Sequence, residues 1–451
     1  MACPHIVSIS YQDAADDFSF FADQPGSFFL DSALVEPRQA RYSFWGLNPG
    51  TRLESREGFV TLDGRTRIGS SLEALREFHE KMNALPLDPY LPFAGGLVGF
   101  IGYEWGAALE NIGSRASKDF FLPDAWFGFY ETVVIYDHPE KTSRVVSRDL
   151  NAAEELAEEI LTNRKLFNAR STKYEVRPHE FRSSLSKEAF ISAVQKILQY
   201  LKAGDCYQVN LTQRFMAPCR ESPWNLYSKL RTISAAPYSA YIHGGTFQIL
   251  SASPELFLQS KPDGTLITEP IKGTRKRGST LREDETLRRI LEKSEKDAAE
   301  LLMITDLERN DLGKVCKPGS VKVSQLKTLQ TLPQVHHLHS TIHGKREEGC
   351  SLIDCLAAML PGGSITGAPK IRAMEIIREL EPVPRGLYTG ILGYLGPANT
   401  GQFNIAIRTI VVQDSTAFFH AGAGIVVDSD PEAEYEETML KAKAMMEALG
   451  I

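Results

Sequence analysis

Apolar residues recur with a helical period at three places in the chain after residue 185. In SKEAFISAVQKILQYLKAG, residues 186–204, one face carries Phe190, Val194, Ile197, Leu198 and Leu201. Ser186 stands where a helix N-cap belongs, and Gly204 stands where a C-terminal cap belongs. A longer helical pattern runs from about 282 to 307, and another covers 430–449. The pattern therefore predicts three helices.

Alternating apolar and polar residues predict strands between and before these helices. YQVNLTQRF (207–215) alternates, and GQFNIAIRTIVVQDSTAFFHAGAGIVV (401–427) predicts a hairpin. Short strand signals also occur in GFVTLDGRTRIGS (58–70) and LPFAGGLVGFIGYEWG (91–106), before a helical stretch at 151–167. Because strands cluster with short connections instead of alternating with helices, we expect an α+β fold with antiparallel sheets.

The length of the chain indicates more than one ordinary core. It has 451 residues, 43% of them apolar and 24% charged. A polar, aperiodic stretch at 168–185 is the predicted linker between an N-terminal region, 1–167, and a C-terminal region, 186–451. The motifs with recognisable chemistry lie almost entirely in the second region.

Composition excludes several classes of function. A net charge of −7 argues against a nucleic-acid-binding protein, since phosphate binding depends on excess Lys and Arg. The six cysteines show no CxxC spacing, which indicates free thiols in a reducing compartment. We find no signal peptide and no run of the roughly 18 apolar residues that would cross a membrane. We therefore expect a cytoplasmic protein without membrane or nucleic-acid partners.

An acidic row lies on the last predicted helix. Glu434, Glu437 and Lys441 share one face, because they are three and four positions apart. Taken alone, this spacing favours a solvated ladder of ion pairs over a divalent-metal site. Glu300, where another acidic helix becomes apolar, could add a third carboxylate to a Mg²⁺ site, since Mg²⁺ prefers oxygen ligands.

Three further stretches resemble known motifs only in part. PGGSITGAPK (361–370) lacks the Gly-Lys-Ser/Thr of a phosphate loop, although it resembles a tight turn before a helix. AGAGIV (421–426) lacks the third glycine of a dinucleotide fingerprint. VHHLHST places His337 and His339 on one face of a strand, but no other Cys or His stands at zinc-ligand spacing. A histidine near a pocket and a structural histidine remain equal alternatives.

Together these stretches resemble the chorismate-utilising enzymes, a family that includes anthranilate synthase component I, aminodeoxychorismate synthase component I, and isochorismate and salicylate synthases. The matching segments, in family order, are SASPELF, EPIKGTR, DLERNDLG, PGGSITGAPKIRAMEII, AGAGIV and AEYEETMLKAK. FLDSAL and LPFAGGLVGFIGYE match more loosely. The resemblance implies an α+β fold in which large antiparallel sheets pack as a sandwich with surrounding helices.

The resemblance also implies how chorismate, a dianion, is bound. Arg408 and Tyr388 match residues that hold the enolpyruvyl carboxylate, a task suited to a guanidinium fork. Gly424 matches a backbone contact to a substrate carboxylate, and Lys441 matches a cation near the second carboxylate.

Other matches concern the metal and the ring. Glu300, Glu434 and Glu437 match the positions that hold a catalytic Mg²⁺. With this resemblance, a Mg²⁺ site becomes the favoured interpretation over a solvated ladder of ion pairs. Three further residues match positions near the chorismate ring. Glu255 matches the general acid for the departing 4-hydroxyl, while His337 and Thr274 match positions beside the ring.

Two positions discriminate among the family members. The hydrolytic members have a general-base lysine where this chain has Gln208, and glutamine cannot deprotonate water. Lys272, in TLITEPIKGTRKRG, stands where most members have alanine. The segment PIKGT resembles the corresponding segment of aminodeoxychorismate synthase. In that enzyme the lysine is thought to attack the ring of chorismate. A lysine nucleophile must be neutral, and burial lowers an ammonium pKa. The alternative is an ion-pairing lysine beside a solvated basic loop, 275–277.

The amine transfer that this resemblance implies needs a source of nitrogen. No cysteine lies in a GxCxG-like glutaminase elbow, so the sequence shows no glutaminase site that would release ammonia from glutamine. We therefore expect a separate glutamine amidotransferase subunit, or free ammonia. Ser32, in FLDSAL, lies where relatives have a tryptophan pocket, which is either regulatory or structural. Two alternatives stay open: an anthranilate synthase component I, and a non-catalytic chorismate-binding regulator of a glutaminase.

Overall fold

The computed structural model describes residues 4–35, 40–83, 88, 91–113, 120–166, 181–332 and 335–451. Most of the predicted linker at 168–185 lies outside the described residues. Among the helices that are described, none is long and apolar enough to cross a membrane.

The helices, in chain order, are α1 (Ala14–Phe18), α2 (Ser71–Asn83), α3 (Tyr103–Leu109), α4 (Leu150–Leu166), α5 (Lys187–Ala203), α6 (Pro223–Ile233), α7 (Leu281–Glu292), α8 (Glu295–Gly313), α9 (Leu352–Met359), α10 (Lys370–Leu380) and α11 (Pro431–Leu449). The strands of the N-terminal region are β1 (His5–Ile9), β2 (Phe28–Asp31), β3 (Tyr42–Gly46), β4 (Thr51–Arg56), β5 (Phe59–Leu62), β6 (Arg65–Ile68), β7 (Gly96–Ile101), β8 (Ala125–Tyr130), β9 (Thr132–Asp137) and β10 (Thr142–Ser147). Those of the C-terminal region are β11 (Arg182–Ser183), β12 (Gln208–Pro218), β13 (Tyr238–His243), β14 (Gln248–Ser253), β15 (Leu256–Ser260), β16 (Thr265–Glu269), β17 (Ile271–Lys276), β18 (Lys322–Thr331), β19 (Val335–Lys345), β20 (Gly367–Ala368), β21 (Ile391–Leu395), β22 (Gly401–Ile405), β23 (Thr409–Gln413) and β24 (Thr416–Ile425).

The strands form two large antiparallel sheets. The first sheet has the order β1-β10-β9-β3-β2-β13-β14-β23-β24-β12-β11, with β20 also paired to β12. The second sheet has the order β17-β19-β16-β15-β22-β21-β7-β8-β4-β5-β6, with β18 also paired to β19. Both sequence regions contribute to both sheets, since β2 pairs with β13 and β7 pairs with β21.

Apolar side chains from both sheets meet in one core. Phe28 and Ile242 come from the first sheet, and Phe100, Trp126 and Leu392 come from the second. A second core lies between the first sheet and helices that include α4, α6 and α11, and a third lies between the second sheet and helices that include α2 and α9. The predicted α+β sandwich with surrounding helices is confirmed.

Two of the predicted helices are confirmed, and the third is two helices. Ser186 caps α5 by accepting a hydrogen bond from the amide of Ala189, and Gly204 ends it with φ +83°. α11 covers the predicted final helix, with Asp430 as its N-cap. The long pattern at 282–307 breaks at 293–294, because the Ser294 side chain caps a new helix, α8. The helical periodicity continues across this break, so the pattern did not show it.

The predicted hairpin at 401–427 is wrong in one respect. β23 and β24 form a hairpin in the first sheet, but β22 pairs with β15 and β21 in the second sheet. The chain crosses between the sheets at residues 406–408, where Arg408 has φ +49°. This conformation is uncommon for a residue with a side chain. The crossing places Arg408 at the boundary of the two sheets.

A buried ion pair joins the segments that surround this boundary. The guanidinium of Arg385 donates from Nε and Nη2 to the Glu381 carboxylate, at 2.9 and 2.7 Å. It also donates to the carbonyl oxygens of Ile365 and Asn210, at 2.9 and 2.7 Å. Glu381 in turn accepts from the amide and hydroxyl of Thr212, at 2.9 Å each. The pair is therefore fully hydrogen-bonded in a site from which water is excluded.

We expect Arg385→Met to lower the free energy of unfolding by about 3–5 kcal/mol, because it leaves a buried carboxylate without its cation. Urea denaturation followed by circular dichroism measures this. The control is Lys317→Met, which breaks an ion pair with Glu348 whose side chains are 46% and 88% exposed. That loss should stay below about 1 kcal/mol. Equal losses in the two variants would contradict the role assigned to the buried pair.

Candidate active site

Lys272 lies on β17, an edge strand of the second sheet, with its side chain turned toward the segment before α10. Its Nζ donates a hydrogen bond to the carbonyl oxygen of Ser364, at 2.9 Å. The next residue, Gly273, has φ +75°, and a Cβ there would lie 2.9 Å from the side chain of Asp297. Glycine is thus required beside Lys272 both by backbone conformation and by space.

The surroundings of Lys272 favour its neutral amine. Burial lowers the pKa of Lys272, and the positive charge of Lys441 lowers it further. The carboxylates of Glu255, Glu300 and Glu437 act in the opposite direction without outweighing the loss of hydration. The amine therefore lies among three carboxylates while its pKa stays below the ordinary value.

Glu255 lies between β14 and β15 and is 5% exposed. The amide of Ile271, the residue before Lys272, donates to its Oε1 at 3.4 Å. Burial raises the pKa of Glu255, while the charge of Lys272 and the hydroxyl of Ser364 act to lower it. A carboxyl group with a raised pKa can retain a proton and donate it, as a general acid must.

Ser364 is a residue that the sequence analysis did not select. Its carbonyl oxygen accepts from Lys272, and its buried hydroxyl faces Glu255. It belongs to PGGSITGAPK, a stretch that resembles a tight turn before a helix. That turn precedes α10 as predicted, but its position beside Lys272 depends on a contact between residues about ninety positions apart.

His337 and Thr274 lie opposite each other on β19 and β17. Thr274 Oγ1 and His337 Nδ1 are 2.8 Å apart, while His337 Nε2 has no hydrogen-bond partner among the described residues. Burial, then the charge of Arg408, lowers the pKa of His337 to about 3. The imidazole is therefore neutral at physiological pH. It lies on the strand that pairs with the Lys272 strand, and it is uncharged.

Gln208 is fully buried at the start of β12, and neither its Oε1 nor its Nε2 has a partner in the described part of the chain. A Cβ added to Gly424, on β24, would lie 2.7 Å from Gln208 Nε2. The glycine therefore leaves room for the amide group. A buried amide with unused donors and acceptors is able to bind a small polar ligand.

Three more predicted binding residues lie around the crossing of the sheets. Tyr388 stacks on His420, with ring centroids 5.1 Å apart, and burial raises the pKa of its hydroxyl above the ordinary value. Burial lowers the pKa of Arg408, opposed by Glu255. Lys441 Nζ donates to the carbonyl oxygen of Gly422 at 3.1 Å, within the hairpin that carries Gly424.

The predicted metal ligands face one region but are not assembled as a ligand set. Burial raises the pKa of Glu300, and the charge of Lys272 lowers it by less, so the pKa stays above its ordinary value. Burial also raises the pKa of Glu434, whose Oε1 accepts from Ser429 at 2.6 Å. Glu437 pairs with Lys441 at 2.7 Å.

The three carboxylates still influence one another. The negative charge of Glu437 raises the pKa of both Glu300 and Glu434. Within the described ranges, no three His, Cys, Asp or Glu side chains lie close enough to ligate an ion directly. A cluster of mutually repelling oxygen donors nevertheless fits Mg²⁺, which uses a few carboxylates and several waters.

Glu308, on α8, is a second buried carboxyl group that the sequence analysis missed. Thr268 Oγ1 donates to its Oε2 at 2.8 Å. Burial, then the charge of Glu255, raises the pKa of Glu308 to about 8. The group is therefore largely protonated at neutral pH, which limits the negative charge near Glu255. Nothing in DLERNDLG indicated burial, since the surrounding residues are mostly polar.

The basic stretch 275–277 differs from the expected solvated loop. Arg275 is part of β17 and pairs with Asp297 at 2.7 Å. Arg277 donates to both carboxylate oxygens of Asp284, at 2.8 Å each. These ion pairs tie β17 to α8 and α7, so the arginines support the strand that carries Lys272.

Ser32 lies beside a separate cavity. Its hydroxyl donates to the carbonyl oxygen of Tyr42, at 2.6 Å, and its amide donates to Ser43 Oγ, at 2.9 Å. The cavity lies between the two sheets and is lined by residues that include Phe44, Tyr238 and Tyr394. The tryptophan assignment stays a prediction.

Comparison with known proteins identifies the family. Residues 31–447 match the model of the chorismate binding enzyme family. The chain is 39% identical over 430 residues to aminodeoxychorismate synthase component 1 of Bacillus subtilis, covering 93% of this chain and 91% of the relative. It is 38% identical over 454 residues to anthranilate synthase component 1 of Acetivibrio thermocellus, covering 96% and 92%.

Solved structures agree with the fold. Anthranilate synthase component I from Streptococcus pneumoniae superposes with a TM-score of 0.81 at 32% identity, covering 91% of this chain and 93% of that one. MenF, the menaquinone-specific isochorismate synthase of Escherichia coli, has a TM-score of 0.73 at 18% identity, covering 100% and 96%, and shares the fold. The chain belongs to the chorismate binding enzyme family.

Proposed function

We propose that this chorismate-utilising enzyme is an aminodeoxychorismate synthase component I. It would convert chorismate and ammonia to 4-amino-4-deoxychorismate and water, a step toward 4-aminobenzoate and folate. The observation that carries the proposal is the position of Lys272. An amine with a lowered pKa lies beside a buried carboxyl group, Glu255, with a raised pKa. Such a pair suits covalent catalysis with acid assistance.

Substrate binding follows from the charges around this pair. Chorismate carries two carboxylates, and the region offers Arg408 and Lys441 as cations. Tyr388 would donate a hydrogen bond from its hydroxyl to the enolpyruvyl carboxylate, since its raised pKa keeps the phenol protonated. The backbone at Gly424 would contact the other carboxylate, with the Gln208 amide in the space that a side chain at 424 would fill. The ring would then lie between Lys272 and His337.

The chemistry would proceed in two balanced steps. The neutral amine of Lys272 attacks ring C2 while the C4–O bond breaks, and the proton of Glu255 leaves with the hydroxyl as water. Ammonia then forms a bond to C4 while the bond from C2 to the lysine nitrogen breaks. The Glu255 carboxylate takes the proton released as the new ammonium becomes an amine. Both catalytic groups return to their initial states.

The amide side chain of Gln208 favours ammonia over water as the nucleophile. A lysine at this position could remove a proton from water, whereas an amide has no comparable basicity. The two unpartnered polar atoms of Gln208 could instead hold ammonia by donating and accepting hydrogen bonds. Ammonia needs no base before it attacks. The site is therefore better suited to amination than to hydration.

We further propose that Glu300, Glu434 and Glu437 hold Mg²⁺. When bound, the ion would neutralise a substrate carboxylate and orient it. Glu437 would exchange its ion pair with Lys441 for the metal, which frees the Lys441 ammonium for substrate. Ammonia would come from a separate glutamine amidotransferase, in keeping with the "component 1" names of the relatives.

Anthranilate synthase component I is the second candidate, because relatives with both names have similar identity to this chain. Product analysis separates the two. We expect the purified chain, supplied with chorismate, Mg²⁺ and ammonium at mildly alkaline pH, to form 4-amino-4-deoxychorismate without pyruvate. Replacing ammonium by glutamine should stop turnover. Anthranilate with stoichiometric pyruvate would establish the other activity.

Lys272→Ala should reduce formation of 4-amino-4-deoxychorismate by at least about a hundredfold, because the attacking amine is lost. Chorismate binding, measured by calorimetry with Mg²⁺, should remain within about threefold. Lys276→Ala, on the exposed end of the same strand, is the matched control and should keep its turnover. Unchanged turnover in Lys272→Ala would exclude the covalent role.

Glu437→Gln should raise the Mg²⁺ concentration needed for half-maximal turnover by about tenfold or more, since an amide is a weaker Mg²⁺ ligand than a carboxylate. Glu436→Gln provides the control on the same helix, because Glu436 pairs with Lys187 on α5 at 3.6 Å instead. Identical Mg²⁺ titration curves for the two variants would contradict the metal assignment.

A further inference from the structure

Two thiols meet at the start of α9, outside the proposed active site. Cys350 precedes the N-cap residue, Ser351, and Cys355 follows it in the first turns of the helix. Their sulfur atoms are 3.8 Å apart. These are the positions at which an apolar pair commonly packs at a helix start, and here both members are cysteines.

The two thiols differ in exposure and in acidity. Cys350 is partly exposed, whereas Cys355 is fully buried. The two sulfurs lie within hydrogen-bond distance of each other, and this contact lowers the pKa of Cys350. The same interaction, with burial, raises the pKa of Cys355. The accessible sulfur is thus the one that forms a thiolate, and the buried sulfur remains a thiol beside it.

The surroundings hold the pair in place. Ser351 and Asp354 form a reciprocal capping box, and Asp354 also pairs with Arg76 of α2 at 2.5 Å. The guanidinium of Arg346 donates to the carbonyl oxygen of Cys350 and contributes a positive charge that favours its thiolate. This capped turn keeps Cys355 within reach of a group formed on Cys350.

We propose that Cys350 and Cys355 form a modification site, at which a hydroperoxide converts the two thiols to an intramolecular disulfide. The Cys350 thiolate attacks the terminal oxygen of the peroxide, and the O–O bond breaks to give a sulfenic acid and an alkoxide, or hydroxide where the oxidant is hydrogen peroxide. The Cys355 sulfur then attacks the sulfenic sulfur. Its proton and the sulfenic hydroxyl leave as water, and the two sulfurs close from 3.8 Å to about 2.05 Å.

The other described cysteines lack this arrangement. Cys219 is partly exposed, but burial raises its pKa, and its thiol donates to the carbonyl oxygen of Glu221. Cys206 is buried with a raised pKa. Cys316 is buried near the pair, and burial, then the charge of Cys350, raises its pKa to about 11, so this neighbouring thiol stays protonated. Selective oxidation at Cys350 therefore follows from its acidity together with the neighbouring thiol.

The test treats the full chain with a small excess of hydrogen peroxide, then blocks remaining thiols with iodoacetamide and digests with trypsin. Both cysteines fall on one peptide, residues 347–370, between Arg346 and Lys370. We expect that peptide to lose two hydrogen atoms and to escape alkylation, and dithiothreitol should reverse the change. The peptide with Cys219 should be alkylated fully.

Variants distinguish the sulfur that the peroxide oxidises, Cys350, from the sulfur that closes the disulfide, Cys355. Cys355→Ser should accumulate a sulfenic acid on Cys350 that dimedone traps, whereas Cys350→Ser should leave Cys355 reduced. Cys219→Ser is the matched control and should behave as the unmodified chain does. Oxidation of Cys219 as fast as Cys350, or a sulfinic acid at Cys350 without any disulfide, would overturn the proposal. Neither result depends on which product the enzyme makes from chorismate.

Discussion

The ion pair between Arg385 and Glu381 is the interaction on which the site depends most. Arg385 is 2% exposed and reaches the backbone of two separate segments, at Asn210 and Ile365. One segment leads from Gln208, and the other includes Ser364, the acceptor of Lys272. A planar guanidinium can satisfy several acceptors at fixed angles, which a lysine could not do. The pair therefore sets the distance between the two sides of the site.

Burial and charge have opposite effects on the pKa values of Lys272 and Glu255, and burial prevails at both residues. It lowers the pKa of Lys272 and raises that of Glu255, so each moves toward its neutral form. Their mutual attraction would favour the charged forms. A neutral amine and a neutral acid are the states that nucleophilic attack and proton donation require. Glu308, with a pKa of about 8, avoids adding a further negative charge to the same interior.

Features of the fold that depend on neighbouring residues are visible in the sequence. The caps of α5 and α11 follow from side chains next to the helix in sequence. Lys272 and Glu255 were selected by their motifs, and the structure brings them together through the amide of Ile271. Ser364 and Glu308 were missed, because their significance arises from partners that are distant in sequence.

The sequence by itself determined the bounds of α5 and α11, the antiparallel character of the strands and the short motifs of the site, since these depend on periodicity and on neighbouring residues. Only the tertiary structure decided how β22 and β23 separate into different sheets and how both regions share each sheet. The tertiary structure also decided the pKa values of the buried side chains in the site, because burial is a property of the packed chain. The pKa shifts at Lys272, Glu255 and His337 arise chiefly from the loss of water around them, which folding alone produces.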